Sequence, residues 1–157
     1  MEPNDKVADF TLQDEQEKTV HLSDFAGKPV VLFFYPKADT PGCTIEACGF
    51  RDIFAKIQKS AVVLGISRDT PKAQKKFKEK YDLPYTLLAD VDEAVCKQFD
   101  VLKEKNMYGK KVIGIERTTF LIGPDQKLIK VFPKVKPEGH AEEVLEAVKE
   151  YSKAKKA

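Results

Sequence analysis

Two cysteines lie close together in this sequence, where a strand-like pattern gives way to a helix-like pattern. Cys43 and Cys48 belong to the stretch T-P-G-C-T-I-E-A-C, which follows the apolar run V-V-L-F-F-Y-P, and the chain has 3 cysteines in all. Thr40-Pro41 is a typical helix start, because a threonine can cap the helix and proline at the first helical position loses no hydrogen bond. We therefore expect Cys43 in the first turn of a helix.

A cysteine in the first helical turn is chemically distinctive. Unpaired backbone N–H groups and the positive end of the helix dipole stabilise the thiolate, which is the nucleophilic form. Gly42 has no side chain, so a small electrophile could approach the sulfur of Cys43, and Pro36 and Pro41 stiffen the surrounding loop. The pattern alone leaves a second interpretation open, in which Cys43 only packs at a helix end as a small apolar residue.

The spacing of the two cysteines limits how they can react together. Cys48 follows Cys43 by five positions, which on an ideal helix separates their Cα atoms by roughly 8.7 Å. A disulfide needs a separation below about 7 Å. The helix must therefore unwind locally before Cys48 can condense with a sulfenic acid at Cys43. Alternatively, Cys48 is a buried helix residue on an apolar face with Ala47, Ile53 and Phe54.

Other cysteine and histidine chemistries lack support in the sequence. A structural zinc site requires a full set of closely spaced ligands, whereas His21, His140 and the cysteines are scattered. Neither histidine lies in a motif typical of a cysteine protease. The loop before Cys43 lacks the glycine and lysine pattern of a phosphate-binding loop. We expect no metal and no cofactor.

Length and charge limit the possible partners. The chain has 157 residues and a formal net charge of +2, which predicts one soluble domain over 1–157 and no binding to nucleic acid or membranes. Residues 152–157 are expected to form a flexible basic tail. No apolar run could span a membrane and the N-terminus does not resemble a signal peptide, so a cytoplasmic protein is expected.

Strand-like and helix-like segments alternate along the chain. We predict strands at Val30–Tyr35, Ala61–Ser67 and Tyr85–Leu88, helices at about Pro41–Lys59, Pro71–Tyr81, Glu93–Phe99 and His140–Tyr151, and a hairpin of Glu116–Ile122 with Lys127–Phe132. This order favours an α/β fold in which helices flank a central sheet. The helix start at Thr70-Pro71 has the same capping pattern as the one before Cys43.

The residues around Cys43 resemble a known family. The stretch P-K-A-D-T-P-G-C from Pro36 to Cys43 matches the P-x-x-x-T-x-x-C motif of peroxiredoxins, and its continuation through Cys48 resembles the peroxiredoxin Q, or bacterioferritin comigratory protein, subfamily. Tyr108–Ile122 and Val135–Leu145 are similar to the same subfamily, so the likeness covers nearly the whole chain. The resemblance implies a thioredoxin-like fold with a central mixed β-sheet.

The resemblance also implies roles for individual residues. It makes Cys43 the peroxidatic cysteine and Cys48 the resolving cysteine of an intramolecular disulfide. Thr40 is then expected to hydrogen-bond the thiolate and the peroxide, Pro36 to shield the site, and Arg117 to place a second positive charge near the sulfur. A sixth position, Glu46, is expected to be a supporting polar partner.

The residues without the resemblance leave simpler roles open. From charge alone, Arg117 would point from a strand to solvent or pair with Glu116, and Thr40 would be a helix cap. Cys96 lies outside the motif and most simply packs as a small apolar residue, with an alternative redox role open. The chain also departs from the family at V-A-D-F, Val7–Phe10, where a proline is usual.

The resemblance implies a thiol peroxidase. Its substrates are expected to be hydrogen peroxide and organic hydroperoxides, its reductant thioredoxin or a similar dithiol protein, and its state a monomer without metal, haem or flavin. Two other classes stay open. A thiol–disulfide exchanger also uses a cysteine at a helix start, although its usual spacing is C-x-x-C. A redox sensor could use the same cysteine pair to change shape without turnover.

Overall fold

A mixed central sheet organises the protein. The structure is a computed structural model that describes residues 1–156, apart from the side chains at positions 107, 155 and 156. The strands are β1 Thr11–Asp14, β2 Thr19–His21, β3 Val30–Phe34, β4 Val62–Ser67, β5 Thr86–Ala89, β6 Leu102–Met107, β7 Lys110–Ile115, β8 Thr118–Ile122 and β9 Leu128–Phe132. Within the described residues, seven of them form one sheet in the order β2-β1-β5-β4-β3-β8-β9, and β6 pairs with β7 in a separate hairpin.

Helices cover both faces of this sheet. They are α1 Pro41–Asp52, α2 Phe54–Ile57, α3 Pro71–Tyr81, α4 Ala94–Gln98 and α5 His140–Lys156. Every residue of β3 is buried, because alternate side chains enter separate apolar clusters on opposite faces. The clusters pack against α1, α3 and α5 on one face and against α4 on the other. None of the helices in the described part of the chain is long and apolar enough to cross a membrane.

The predicted α/β fold with a mixed central sheet is confirmed. Strand β3 is parallel to β4, and β4 is parallel to β5, whereas β8 is antiparallel to β3. The predicted hairpin is present as β8 and β9. Helix α3 has the predicted bounds, and the hydroxyl of Thr70 accepts a hydrogen bond from the N–H of Ala73 at 3.2 Å.

The prediction for the first helix was wrong in two respects. The helix does not run unbroken to Lys59, because the backbone of Ile53 leaves the helical conformation, with φ −105° and ψ 6°, and separates α1 from α2. The hydroxyl of Thr40 does not cap α1. It donates instead to the carbonyl of Lys37 at 2.8 Å, within the preceding loop.

The last helix is longer than predicted. It continues past Tyr151 to Lys156, so the backbone of residues 152–156 is helical, and Ala157 lies outside the described residues. Val144, Leu145 and Val148 form its buried apolar face. The flexibility of the tail and the single-domain organisation stay predictions.

Aromatic packing on β3 seats the helix that carries Cys43. The ring of Phe50 in α1 stacks on Phe33 with 4.7 Å between centroids. Gly65 of the neighbouring strand β4 leaves room for the Phe33 ring, since a Cβ at Gly65 would lie 2.9 Å from both Phe33 Cζ and Leu87 Cδ2. The position of α1 on the sheet therefore depends on a glycine in β4.

Replacing Gly65 by alanine should destabilise the protein, because the added methyl group overlaps the rings and side chains beneath α1. We expect the free energy of unfolding in urea to fall by about 1–3 kcal/mol. Gly114→Ala in β7 is the control, because a Cβ there meets only the Lys105 side chain at 3.7 Å. Unchanged stability of Gly65→Ala would contradict the packing argument.

Candidate active site

Cys43 lies in the first turn of α1, as the sequence predicted. Strand β3 ends at Phe34, and a loop through Pro36 and Thr40 leads from the carboxyl end of this central strand into the helix. The Cys43 side chain is 1% exposed. Its thiol is free, as are those of Cys48 and Cys96. The sulfur is thus held at the edge of the sheet by a buried strand and a helix start.

Arg117 contacts this sulfur directly. It immediately precedes β8, and the antiparallel pairing of β8 with β3 brings it beside the start of α1. Its Nη2 lies 3.4 Å from Cys43 Sγ, and its Nη1 donates to Glu46 Oε1 at 2.8 Å. The side chain is 14% exposed, so the interpretation in which Arg117 points to solvent is wrong. The two arms of one guanidinium join two residues on the same face of α1.

Gly42 makes room for Arg117. A Cβ at this position would lie 3.0 Å from Arg117 Nη2 and 3.5 Å from Pro137 Cγ. The missing side chain therefore makes room for the guanidinium and for the loop before α5. Glycine here allows the cation to reach the sulfur of Cys43.

Glu46 is a buried acid with one paired oxygen. It is 1% exposed, and its Oε2 has no hydrogen-bond partner in the part of the chain that the structure describes. Burial raises the pKa of Glu46 to about 7, although the charge of Arg117 opposes the shift. Near neutral pH the carboxyl is therefore partly protonated. A neutral Glu46 attracts Arg117 less strongly than a carboxylate does, so less of the positive charge of Arg117 is neutralised beside the Cys43 sulfur.

Two acids that the sequence analysis missed fix the loop between β3 and α1. Asp69 Oδ2 accepts a hydrogen bond from the N–H of Ala38 at 2.7 Å. Asp39, with a φ of 60°, accepts from Lys80 Nζ and from the Tyr81 hydroxyl, both at 2.8 Å. These contacts tie the loop to the region around α3. These contacts could not be predicted from the spacing of residues along the chain, because the two partners of each contact belong to different βα units.

Thr40 and Pro36 lie in this loop as predicted, both half-buried. Thr40 precedes α1 with an extended backbone, and its carbonyl accepts the N–H of Thr44 at 2.8 Å. Its hydroxyl must be the donor to the Lys37 carbonyl, because a carbonyl can only accept. In this state the hydroxyl proton is therefore held by the loop itself.

The other two thiols lie in different environments. Cys48 is half-buried further along α1, and burial raises its pKa. Cys96 is 0% exposed, and burial, reinforced by the neighbouring carboxylate of Asp90, raises its pKa strongly. Cys43 and Cys96 belong to apolar clusters on opposite faces of the sheet. A bond between Cys43 and Cys96 is therefore blocked by the sheet while the domain is folded.

Comparison with known proteins identifies the family. The profile of the AhpC/TSA family matches residues 3–131. The chain is a peroxiredoxin of the AhpC/TSA family. It is 52% identical over 146 residues to the putative peroxiredoxin Bcp of Coxiella burnetii, covering 92% of this chain and 97% of that protein. It is 46% identical over 155 residues to peroxiredoxin Bcp of Bacillus subtilis, covering 97% and 98%.

A solved structure agrees with this assignment. The bacterioferritin comigratory protein of Xanthomonas campestris is similar with a TM-score of 0.86 at 43% identity, covering 90% of this chain and 91% of that one. The predicted thioredoxin-like fold and subfamily resemblance are confirmed. Because peroxiredoxins are thiol peroxidases, this peroxiredoxin reduces a peroxide with a cysteine thiol and is reduced in turn by a thiol compound.

The Glu46 carboxyl should make the stability of this peroxiredoxin fall as the pH rises from about 4.5 to about 7. In this interval the unfolded chain has lost the Glu46 proton, whereas the folded chain retains it. Relative to Glu46→Gln, the wild type should lose up to about 3 kcal/mol of unfolding free energy. Urea denaturation of both proteins across this range measures the difference. A difference independent of pH would show that Glu46 is already ionised at the acid end.

Proposed function

We propose that this peroxiredoxin reduces hydrogen peroxide and organic hydroperoxides through a two-cysteine cycle, with thioredoxin or a similar dithiol protein as the reductant. The observation that carries the proposal is the 3.4 Å contact between Arg117 Nη2 and Cys43 Sγ at the start of α1. The guanidinium and the helix start both present positive charge to the Cys43 sulfur. Cys43 is accordingly the peroxidatic cysteine.

The first step oxidises Cys43. Its thiolate attacks one oxygen of the hydroperoxide, so that an S–O bond forms and the O–O bond breaks. The second oxygen leaves with the electron pair, takes up a proton and departs as water or an alcohol, and Cys43 becomes a sulfenic acid. Negative charge develops on the departing oxygen, so a fixed cation lowers the barrier. Arg117 suits this role because its guanidinium is always charged and donates in a fixed fork.

Three further residues support this step in our proposal. Thr40 turns its hydroxyl from the Lys37 carbonyl toward the reacting oxygen, which requires only rotation about one bond. Pro36 shields the sulfur from bulk water. Glu46 orients Arg117 through the 2.8 Å hydrogen bond.

The second step uses Cys48 as the resolving cysteine. Its thiol condenses with the Cys43 sulfenic acid, which forms a disulfide and releases water. Helix α1 is continuous from Pro41 to Asp52, so its first turns must unwind before the two sulfurs can meet. The dithiol reductant then restores both thiols by disulfide exchange.

Three observations support the proposed substrates, oligomeric state and location. The bacterioferritin comigratory protein of Xanthomonas campestris has alkyl peroxide reduction activity, which supports organic hydroperoxides as substrates. A bond within one chain needs no second subunit, which supports a monomer. A close pair of free thiols is typical of a reducing compartment, which supports a cytoplasmic location.

Substitution of the cysteines tests the cycle. Cys43→Ser should abolish peroxide reduction, and Cys48→Ser should be oxidised once per chain and then stall without a small thiol. Cys96→Ser is the control and should turn over like the wild type, because Cys96 lies on the opposite face of the sheet. Thioredoxin-coupled peroxide consumption measures turnover, and peptide mass spectrometry after one equivalent of peroxide maps the bond. Equal activity of all three variants would refute the assignment.

Substitution of Arg117 tests the electrostatic argument. Arg117→Gln should slow sulfenic acid formation by about 10²-fold, the usual loss for one donor aimed at a developing negative charge. Arg117→Lys should lie between this variant and the wild type, since it keeps the charge and loses the fork. Stopped-flow mixing with peroxide gives the rate constants. Arg68→Gln, which removes a guanidinium that contacts Glu93, is the control. Wild-type reactivity of Arg117→Gln would contradict the proposal.

A further inference from the structure

Helix α1 is held differently along its length. In the first turns, the side chains of Cys43 and Glu46 both contact Arg117. The attraction between the guanidinium and the sulfur is strong only while the sulfur is a thiolate. Once Cys43 is a neutral sulfenic acid, this contact weakens. Of the two contacts that the first turns make with Arg117, the one at the sulfur therefore weakens at the point in the cycle at which Cys43 has to move.

The second half of α1 is held by packing against α5 and β3 and by a hydrogen bond to an uncharged backbone carbonyl. Gly49 packs against Ala141 of α5, since a Cβ added at Gly49 would lie 3.3 Å from the Ala141 Cβ. Phe50 stacks on Phe33 of β3, and Arg51 Nη1 donates to the Tyr81 carbonyl at 2.9 Å. None of these contacts involves the Cys43 sulfur. Oxidation of Cys43 therefore leaves them in place, and unwinding has a natural limit before Gly49.

Tyr85 lies at this limit. It is 3% exposed, and its ring contacts those of Phe33 and Phe54 with centroid distances of 5.7 and 6.1 Å. Its hydroxyl donates to the carbonyl of Ala47 at 2.6 Å. That carbonyl and the N–H of Cys48 belong to one planar peptide group. The Tyr85 hydroxyl therefore holds the peptide plane from which the backbone of Cys48 continues.

The hydroxyl of Tyr85 remains a donor throughout the cycle. Burial raises the pKa of Tyr85 well above its usual value, so the phenol stays neutral at any pH at which the enzyme works. Its partner is a backbone carbonyl, whose charge does not change when Cys43 is oxidised. The hydrogen bond thus survives the step that weakens the contact between Arg117 and the sulfur.

We propose that Tyr85 is a positioning residue for disulfide formation, which stops the unwinding of α1 at Ala47 so that Cys43 moves while Cys48 stays in place. This inference rests on the proposed two-cysteine cycle. In the step itself, the Cys48 sulfur attacks the sulfur of the Cys43 sulfenic acid, the S–S bond forms and the S–O bond breaks. The hydroxyl leaves as water with the proton of the Cys48 thiol. Tyr85 takes no part in the bond changes.

Tyr85→Phe tests the proposal, because it removes the hydroxyl and keeps the ring. Sulfenic acid formation should be unchanged. Disulfide formation should slow by about fivefold, the factor that corresponds to the loss of one hydrogen bond, because unwinding then extends to Cys48 and the sulfurs meet less often. Excess peroxide should convert more Cys43 to sulfinic acid than in the wild type. Quenched-flow mixing, alkylation and mass spectrometry measure all three products.

Hydrogen exchange locates the end of the unwound segment. In the disulfide form, the amides of Arg51 and Asp52, whose helical partners are the carbonyls of Ala47 and Cys48, should stay protected in the wild type and lose protection in Tyr85→Phe. Tyr35→Phe is the matched control. Tyr35 is also a buried tyrosine with a hydrogen-bonded hydroxyl, but its partner is Gln74 of α3 and not α1. This variant should form the disulfide at the wild-type rate.

The outcomes separate this inference from the cycle on which it rests. If the wild type forms no bond between Cys43 and Cys48 after one equivalent of hydrogen peroxide, the two-cysteine cycle itself fails. If the wild type forms the bond and Tyr85→Phe forms it equally fast or faster, the cycle stands and the role of Tyr85 is overturned. An equal slowing in Tyr35→Phe would also overturn it, because the effect would then reflect general destabilisation.

Discussion

The rest of the site depends on the contact of the Arg117 guanidinium with Cys43 and Glu46. The guanidinium lies 3.4 Å from the Cys43 sulfur and 2.8 Å from a Glu46 oxygen, and so ties the first turn of α1 to the strand β8. The antiparallel register of β8 with β3 brings it there, and the missing side chain of Gly42 lets it approach. One cation thus serves both the electrostatics of the sulfur and the attachment of the helix.

Two groups that are negative when ionised share this cation. Placing two full negative charges side by side in a buried site would be unfavourable, since desolvation of each is only partly offset by one guanidinium. Burial raises the pKa of Glu46 to about 7, and a protonated carboxyl reduces the conflict. The same burial leaves Glu46 Oε2 without a partner among the described residues, which costs less for a neutral acid than for a carboxylate.

The parts of the fold that were predictable are those with local causes. Helix α3 follows from the cap at Thr70, and the β8–β9 hairpin follows from a turn between two apolar runs. The hairpin of β6 and β7 was not predicted. Its strands carry charged, exposed residues, so they lack the apolar alternation by which strands are recognised. The break at Ile53 was missed because neither a proline nor a glycine stands at this position.

By itself, the sequence determined the position of the two cysteines relative to the helix start. A cysteine at a helix start favours a thiolate, and a second cysteine five positions later can reach it only if the helix unwinds. The resemblance implied that Arg117 lies near the sulfur, but only the tertiary structure showed its contact with Glu46 and the contact of Tyr85 with Ala47. Arg117 is 74 positions from Cys43, and Tyr85 is 38 positions from Ala47. Local patterns extend over one helix or strand, whereas such contacts depend on how the strands are ordered in the sheet and on which face each helix packs.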